Sequence, residues 1–468
     1  MPRVVIVGGG ISGLALAYRL ERRLPGLEVL VLERQTRPGG AVFTERHDGF
    51  RVEAGPNGFL DTRPAALDLC RDLGLDDRLL AASAAAGRNR FVLLGGRLRA
   101  LPTGLVSFLR SDVLSWRGKL ALLAERFRPR RADGGDESVD AFARRRAGRE
   151  VAETLADAFV TGIYAGDPRL LSLRASFPRL AAFERDYGSV LRGLDAARRR
   201  RRAEAAAQGR APPRAARLWS FREGLSLLIQ ALRDNLRQPP LLGAGVRTVR
   251  RVPGPGARPA GWQVHGEGGE CWPADAVVLA CPAFEQAAIL ADEDAELAGR
   301  IAAIPYNRVA VVAVGYRAGD VPRSVDGFGY LSPQRDRRDV LGVQWCSSIF
   351  PDRAPPGMVL LRALCGGWNR PDVVDWDEGR LLGAVRAELH QALAIRAAPV
   401  FHKVVRWDRA IPQYHVGHLE RVAWIEERAG RHPGLYLGGN AYRGVALTDC
   451  VEQAGLLADR VAAGFERR

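Results

Sequence analysis

"VVIVGGGISGLALAYRL", residues 4–20, decides the fold. Val4 to Val7 is an apolar run of strand length. Gly8, Gly10 and Gly13 then fit G-x-G-x-x-G, with Gly9, Ile11 and Ser12 between them. From Ser12 to Leu24 the apolar residues Leu14, Ala17, Tyr18 and Leu20 recur at helical spacing. Glycines are required because a side chain would block both the tight turn and the approach of a pyrophosphate. The following helix offers unpaired N–H groups and the positive end of its dipole to that phosphate. A second apolar run, "EVLVLE", ends at Glu33, twenty residues after Gly13. A carboxylate there is placed to accept the hydroxyls of a ribose. Strand, glycine turn, helix, strand and terminal acid in this order predict a dinucleotide site.

The chain has 468 residues, which predicts two or three domains. Its net charge is +16, and its only lysines are Lys119 and Lys403. Such a surface attracts nucleic acid or anionic lipid. No recognition-helix motif or paired zinc ligands are present, so a nucleic-acid partner is not expected. Cys70, Cys271, Cys281, Cys346, Cys365 and Cys450 form no C-x-x-C pair and read as reduced core residues of a cytosolic protein. His415 and His418 lie three apart in "YHVGH" without a nearby cysteine or carboxylate, so no metal is expected. There is no G-x-S-x-G elbow and no H-E-x-x-H. The chain enters its first strand by Val4, so no leader is expected, and no stretch approaches ~18 apolar residues.

Further along, "RPGGAVFTE" at 37–45 and "EAGPNGF" at 53–59 add two glycine-rich turns, which suggests a long cofactor with a bulky second half. "GLYLGGNAYRGVALTDCVEQAG" at 434–455 reads as strand Leu435 to Leu437, a turn, and a helix from near Val445. These features are similar to the FAD-containing amine oxidase superfamily; NAD dehydrogenases lack them. In between, "DLCRDLGLDDRLL" at 68–80 reads as an amphipathic helix, and residues 103 to about 195 are mainly helical. Arg198 to Arg202, followed by Ala, Gly and Pro, predicts a solvated flexible loop. "GAGVRTVRRV" at 243–252 and "WPADAVVLACP" at 272–282 read as strands returning to the nucleotide domain. From Ile304 strand follows strand, predicting an antiparallel-rich sheet. Residues 103–127 mix Leu105, Val106, Phe108, Leu109, Leu114 and Trp116 with Arg110, Arg117, Lys119 and Arg126. This suits a helix lying in a lipid interface.

Six stretches together resemble the oxygen-dependent protoporphyrinogen oxidase family over nearly the whole chain. They are "GPNGFLDTRP" (55–64), "NRFVLLGGRLRALPTG" (89–104), "FVTGIYAGDPRLLSLRASFP" (159–178), "GFGYLSP" (327–333), "AIPQYHVGH" (410–418) and "YRGVALTDCV" (442–451). The resemblance implies an α/β protein: an FAD-binding Rossmann-like domain with an inserted mixed-sheet substrate domain and a helical membrane-binding domain. The expected division is 1–87, 216–300 and 406–468 for FAD, 88–215 for the substrate hairpin and helical part, and 301–405 for the substrate sheet. Gly8, Gly9, Gly10, Ile11, Ser12, Gly13, Glu33, Arg34, Gly40, Ala41, Gly55, Pro56, Asn57, Gly58, Val246, Val445, Ala446 and Leu447 match flavin-contacting positions.

Arg90 matches an arginine that pairs with a substrate propionate, Gly162 a glycine facing the tetrapyrrole, and Phe328, Gly329 and Leu331 a pocket wall. Gln344 and Leu364 fall on pocket strands where relatives carry apolar residues, and Gln344 departs by being polar. Arg90 and Gly162 are therefore the expected catalytic positions. The implied reaction is six-electron oxidation of protoporphyrinogen IX, with FAD reoxidised by O2. Coproporphyrinogen III, an amine oxidase or a carotenoid desaturase remain alternatives. So does a non-enzymatic flavin- or haem-binding scaffold. A peripheral site on the cytoplasmic face of the inner membrane and a homodimer are also family expectations.

Overall fold

The computed structural model describes residues 1–131, 134–207, 216–253, 261–336 and 338–466. Strand Arg3–Val7 lies at the centre of a five-stranded parallel sheet. It pairs with Glu28–Glu33 on one side and Ala276–Leu279 on the other. Leu241–Leu242 and Leu435–Leu437 complete the edges. Val4, Val5, Ile6 and Val7 are all buried because both faces of this sheet are covered. Helix Ile11–Arg23 and the C-terminal helix Leu447–Glu466 cover one face. An antiparallel meander, Val246–Val252, Gly261–Gly266 and Cys271–Ala274, covers the other. The expected single strand over 272–282 is thus two, broken at Asp275: one belongs to the meander and one to the parallel sheet.

A second sheet has seven strands, in the order Phe401–Trp407, Val309–Arg317, Met358–Gly366, Val340–Gln344, Gly329–Leu331, Arg90–Leu94 and Arg97–Ala100. All neighbours are antiparallel except Gly329–Leu331 beside Arg90–Leu94. Side chains alternate across it. Tyr330, Val343, Leu361 and Ala363 pack to the rear with Leu381, Val385 and Leu389 of helix Glu378–Leu393. The intervening residues face forward, toward the nucleotide-binding part and a group of helices.

Those helices lie between residues 105 and 207. Their centre is Arg146, which is fully buried. Its Nε donates to Glu125 Oε1 at 2.8 Å, and its other nitrogens reach the carbonyls of Arg128 and Gly188 at 2.9 Å each. Glu125 also accepts from Ser189 Oγ at 2.6 Å and Val190 N at 2.9 Å, so the buried charges are paired and their hydrogen-bonding capacity is used.

The structure corrects several expectations. Arg198 to Arg202 is helical, within Val190–Ala207, rather than loop. Arginine forms helices well, and Arg198 with Asp195 and Arg200 with Glu204 make pairs three and four residues apart. The rest of that expected loop, 208–215, lies outside the described residues. The helix expected over 68–80 is Ala65–Asp72, ended by Gly74 at φ +69°, and the chain then runs through a short turn into strand Leu79–Ala81. Cys271 is exposed on the outer meander strand; Cys70, Cys346, Cys365 and Cys450 are buried as expected. Segment 103–127 forms two short helices, Leu105–Arg110 and Trp116–Leu123, with Leu114 and Lys119 turned into the core. No helix among the described residues is long and apolar enough to cross a membrane.

Candidate active site

Each glycine of the first turn has its own steric reason. A Cβ on Gly13 would stand 2.0 Å from Gly8 O, so helix and turn meet only if residue 13 is glycine. Gly8, at φ +113°, would drive a Cβ to 2.8 Å from Cys281 N. Gly10 is different: a Cβ there meets nothing within 4 Å, so the space beside it is left open. Gly39 N donates to Gly9 O at 2.8 Å, bringing Gly40 and Ala41 over the first turn. Arg37 fixes that second turn by donating to Gly40 O at 3.0 Å. Gly55 lies so close to Ala41 that a Cβ would be 2.1 Å from its carbonyl.

Glu33 is buried at the end of its strand and accepts from Gly9 N and Gln35 N at 2.8 Å each. Ala244 N donates to Glu33 O at 2.9 Å and so places Val246 beside it. Arg34 is held by Glu267 at 2.9 Å and Glu285 at 2.8 Å. The C-terminal helix begins at Leu447, two residues later than expected, with Ala446 N donating to Asp449 Oδ2 at 3.2 Å. Thr448 Oγ1 donates to Leu60 O at 3.0 Å and ties this helix start to the segment after Pro56 and Gly58. Asn57 is buried, yet neither its amide oxygen nor its nitrogen has a hydrogen-bond partner among the described residues. A buried amide left so is costly and marks a place for a polar ligand. The open space at Gly10, the carboxylate of Glu33 and the orphaned Asn57 fit an extended dinucleotide.

The front of the seven-stranded sheet carries the residues expected to bind substrate. Its register sets two rows. One row runs Leu331, Gly342, Leu364, Val311; the next runs Arg90, Gly329, Gln344, Arg362, Ala313. Gly329 has φ +126°, and a Cβ there would be 2.0 Å from Val343 O, so the floor is bare at that point. Gly162, in helix Asp157–Tyr164, hangs over the first row: a Cβ on it would be 2.8 Å from Leu331 Cδ1. The Arg90 guanidinium lies 5.0 Å from the centre of the Phe328 ring. Its Nε donates weakly to Ala86 O at 3.4 Å, and no carboxylate pairs with it among the described residues. Phe328 also packs beside Ala86, Ile349 and Phe350, while Leu364 packs with Val311, Val405 and Trp407. Arg90, Gly162, Phe328, Gly329, Leu331, Gln344 and Leu364 thus share one face.

A flavin-containing amine oxidoreductase family model matches residues 11–462. The chain belongs to that family. It is 33% identical to protoporphyrinogen oxidase 1 of the Arabidopsis thaliana chloroplast, over 96% of this chain and 86% of that protein. It is 29% identical to coproporphyrinogen III oxidase of Bacillus subtilis, over 96% of both. A structure assigned as a protoporphyrinogen oxidase from Exiguobacterium sp. 255-15 superposes with a TM-score of 0.84, covering 99% of both chains at 27% identity. The protein is an FAD-dependent oxidoreductase related to enzymes of porphyrin synthesis.

Two groups that position the site escape a sequence reading. Asn307 Nδ2 donates to Tyr164 O and Ala165 O at 2.8 and 3.0 Å, and Gln413 Nε2 to Tyr164 O at 2.9 Å. These buried amides fix the end of the helix that carries Gly162 over the sheet. Gln413 sits within the quoted "AIPQYHVGH", but nothing in that string shows which helix it holds. Arg362, in the apolar run "MVLLRALCGG", was readable only as a lone charge in a strand.

Proposed function

We propose that this chain oxidises a porphyrinogen to its porphyrin. The observation that carries this is Arg90, a cation without a carboxylate partner among the described residues, at the rim of a floor bared at Gly329. A porphyrinogen is broad and apolar with anionic propionates at its edge, and needs such a slot and a fork-shaped cation. Arg90 anchors a propionate beside the Phe328 ring, and Gly162 and Leu331, packed against each other, form with Leu364 an apolar wall that excludes water. Anchoring holds a carbon of the substrate ring in reach of the cofactor, which is orientation rather than acid–base work. Gly8 to Gly13, Gly40, Ala41 and Gly55 to Gly58 would cradle FAD, Glu33 and Val246 its adenosine end, and Val445 to Leu447 its ring end. Bound FAD supplies the two-electron acceptor. The full change removes six electrons and six protons, balanced by three O2 becoming three H2O2.

Protoporphyrinogen IX and coproporphyrinogen III both fit this reading, and Arg362 favours the second. The test is aerobic turnover of each by the yellow protein, followed by porphyrin fluorescence and peroxide yield. Three peroxides per porphyrin, and no porphyrin without O2, are expected. A flavin-loaded protein that converts neither compound overturns the reading.

Peripheral docking on anionic lipid belongs to the same proposal. Leu105 and Trp116 are 66% and 63% exposed, Phe127 is 81% exposed, and Arg110 and Arg117 stand exposed among them. This mixture suits a lipid interface, from which a sparingly soluble substrate would arrive.

A further inference from the structure

Arg362 is 4% exposed and points forward from the middle of the seven-stranded sheet. Its guanidinium meets only neutral acceptors: Gln344 Oε1 at 2.8 Å and the carbonyl of Gly55. Its Nε finds no partner among the described residues. The surroundings carry one cation too many. Glu53, the nearby buried carboxylate, is ion-paired with Arg353 at 3.0 Å. The Cys346 thiol, pushed up to about 11 by burial, stays protonated and supplies no anion. Lys403, beyond Ala313 in the same row, is neutralised by Glu45 at 2.9 Å. One buried carboxylate thus serves two buried guanidiniums, Arg353 by direct contact and Arg362 only through space, and the second is costly unless a further anion joins it.

The position of Arg362 says where that anion would come from. It stands in the row Arg90, Gly329, Gln344, Arg362. Three strand spacings separate the two arginines, about 14 Å across the floor. Gly329 between them is bare, and Gln344 is only half-buried. Thus the floor has a cation at each end, one at the rim and one hydrogen-bonded to the half-buried amide of Gln344.

We infer that Arg362, oriented by Gln344, is a second carboxylate anchor, and that the preferred substrate carries propionates on opposite edges of its macrocycle. This rests on the porphyrinogen-oxidase reading above. Coproporphyrinogen III has a propionate on every ring and can engage both arginines. Protoporphyrinogen IX has its two propionates on neighbouring rings, so one edge would set vinyl groups against Arg362.

The test compares kcat and KM for the two porphyrinogens in the FAD-loaded full chain, as wild type and as Arg362→Met, Arg362→Lys and Gln344→Leu. The wild type is expected to have the higher kcat/KM with coproporphyrinogen III. Arg362→Met should lower that value about tenfold or more, mainly through KM, while protoporphyrinogen IX turnover changes little. Arg362→Lys should recover part of the loss, and Gln344→Leu should move the ratio the same way by less. Equal losses with both substrates, or a fall in kcat alone, would mean that Arg362 acts on the cofactor or on the Gly55 loop, and would overturn the inference. If Arg362→Met does not fold, an unmoved substrate ratio in Arg362→Lys and Gln344→Leu overturns it instead. A wild type that converts neither porphyrinogen sinks the reaction assignment itself, a result distinct from a ratio that does not move.

Discussion

Arg90 and Gly10 show how differently single residues carry a site. Arg90→Ala should leave FAD content and thermal stability near wild type. It should raise KM for a porphyrinogen and cut kcat/KM about tenfold or more, because a charge-assisted pair is lost. Arg90→Lys should recover only part, since the planar fork is gone; steady-state kinetics decide both. At Gly10 the protein itself has room, so Gly10→Val should fold but purify without yellow colour. Gly13→Ala should instead lower the melting temperature, because its Cβ meets Gly8 O. Both glycines were legible in the motif. Their separate reasons were not, since spacing tells nothing of what a Cβ would strike. His418 illustrates the same limit. In sequence it is one of two histidines three apart, yet it is fully buried, its Nε2 3.1 Å from Tyr442 O, and burial pulls its pKa down to about 4. Between pH 6.5 and 4 the unfolded chain takes up a proton that the native state refuses, so stability falls with acidification. This group alone is worth about 3 kcal/mol across that window. Urea midpoints at pH 7 and pH 4.5 should therefore lie closer together in His418→Gln than in wild type.

At the scale of elements, periodicity predicted the strands well and the charge-rich helices poorly. The apolar runs 309–317 and 358–366 are strands as read, because a sheet covered on both faces needs little polar alternation. Of the three consecutive arginines Arg144 to Arg146, Arg146 is the buried tie of the helical region; which of the three turns inward depends on packing that the pattern lacks. The pair of helices over 105–123 shows a similar division. Lys119 donates to Leu109 O at 2.7 Å and lies 4.4 Å from the Trp116 ring, joining the two helices from within. Phe108 is half-buried against the core, so it is unsuited to a membrane test. Leu105, Trp116 and Leu120 are exposed. Replacing those three with serine should abolish co-sedimentation with anionic vesicles at low salt while leaving FAD content intact. Continued sedimentation would remove these helices as the docking surface.

For the molecule as a whole, a buried ion pair is one of the ties between its two large parts. Glu53 ends strand Phe50–Glu53 and Arg353 lies in the turn Pro351–Arg353 before sheet strand Met358–Gly366, and both side chains are 1% exposed. Thr44 Oγ1 at 2.8 Å and Leu225 N at 3.0 Å complete the shell of Glu53. Removing one partner strands a buried charge, so Arg353→Met should cost about 3–5 kcal/mol in urea denaturation. Glu53→Gln with Arg353→Met together should cost less than the sum. The glycine motifs announced the dinucleotide half of the molecule, and family resemblance the rest. This joint was invisible, because its members lie 300 positions apart in sequence.

The parallel sheet has a consequence for biogenesis. On a ribosome strand Arg3–Val7 emerges some 270 residues before its neighbour Ala276–Leu279, and edge strand Leu435–Leu437 follows later still. Helix Ile11–Arg23 likewise waits for its packing partner Leu447–Glu466. Throughout elongation the nascent chain would display an unpaired strand edge and an uncovered apolar helix face, a state open to aggregation. Flavin capture should therefore be a post-translational event. A chain stalled before residue 434 should bind no FAD and should lean on chaperones, whereas release of the full chain should bring colour and protease resistance together.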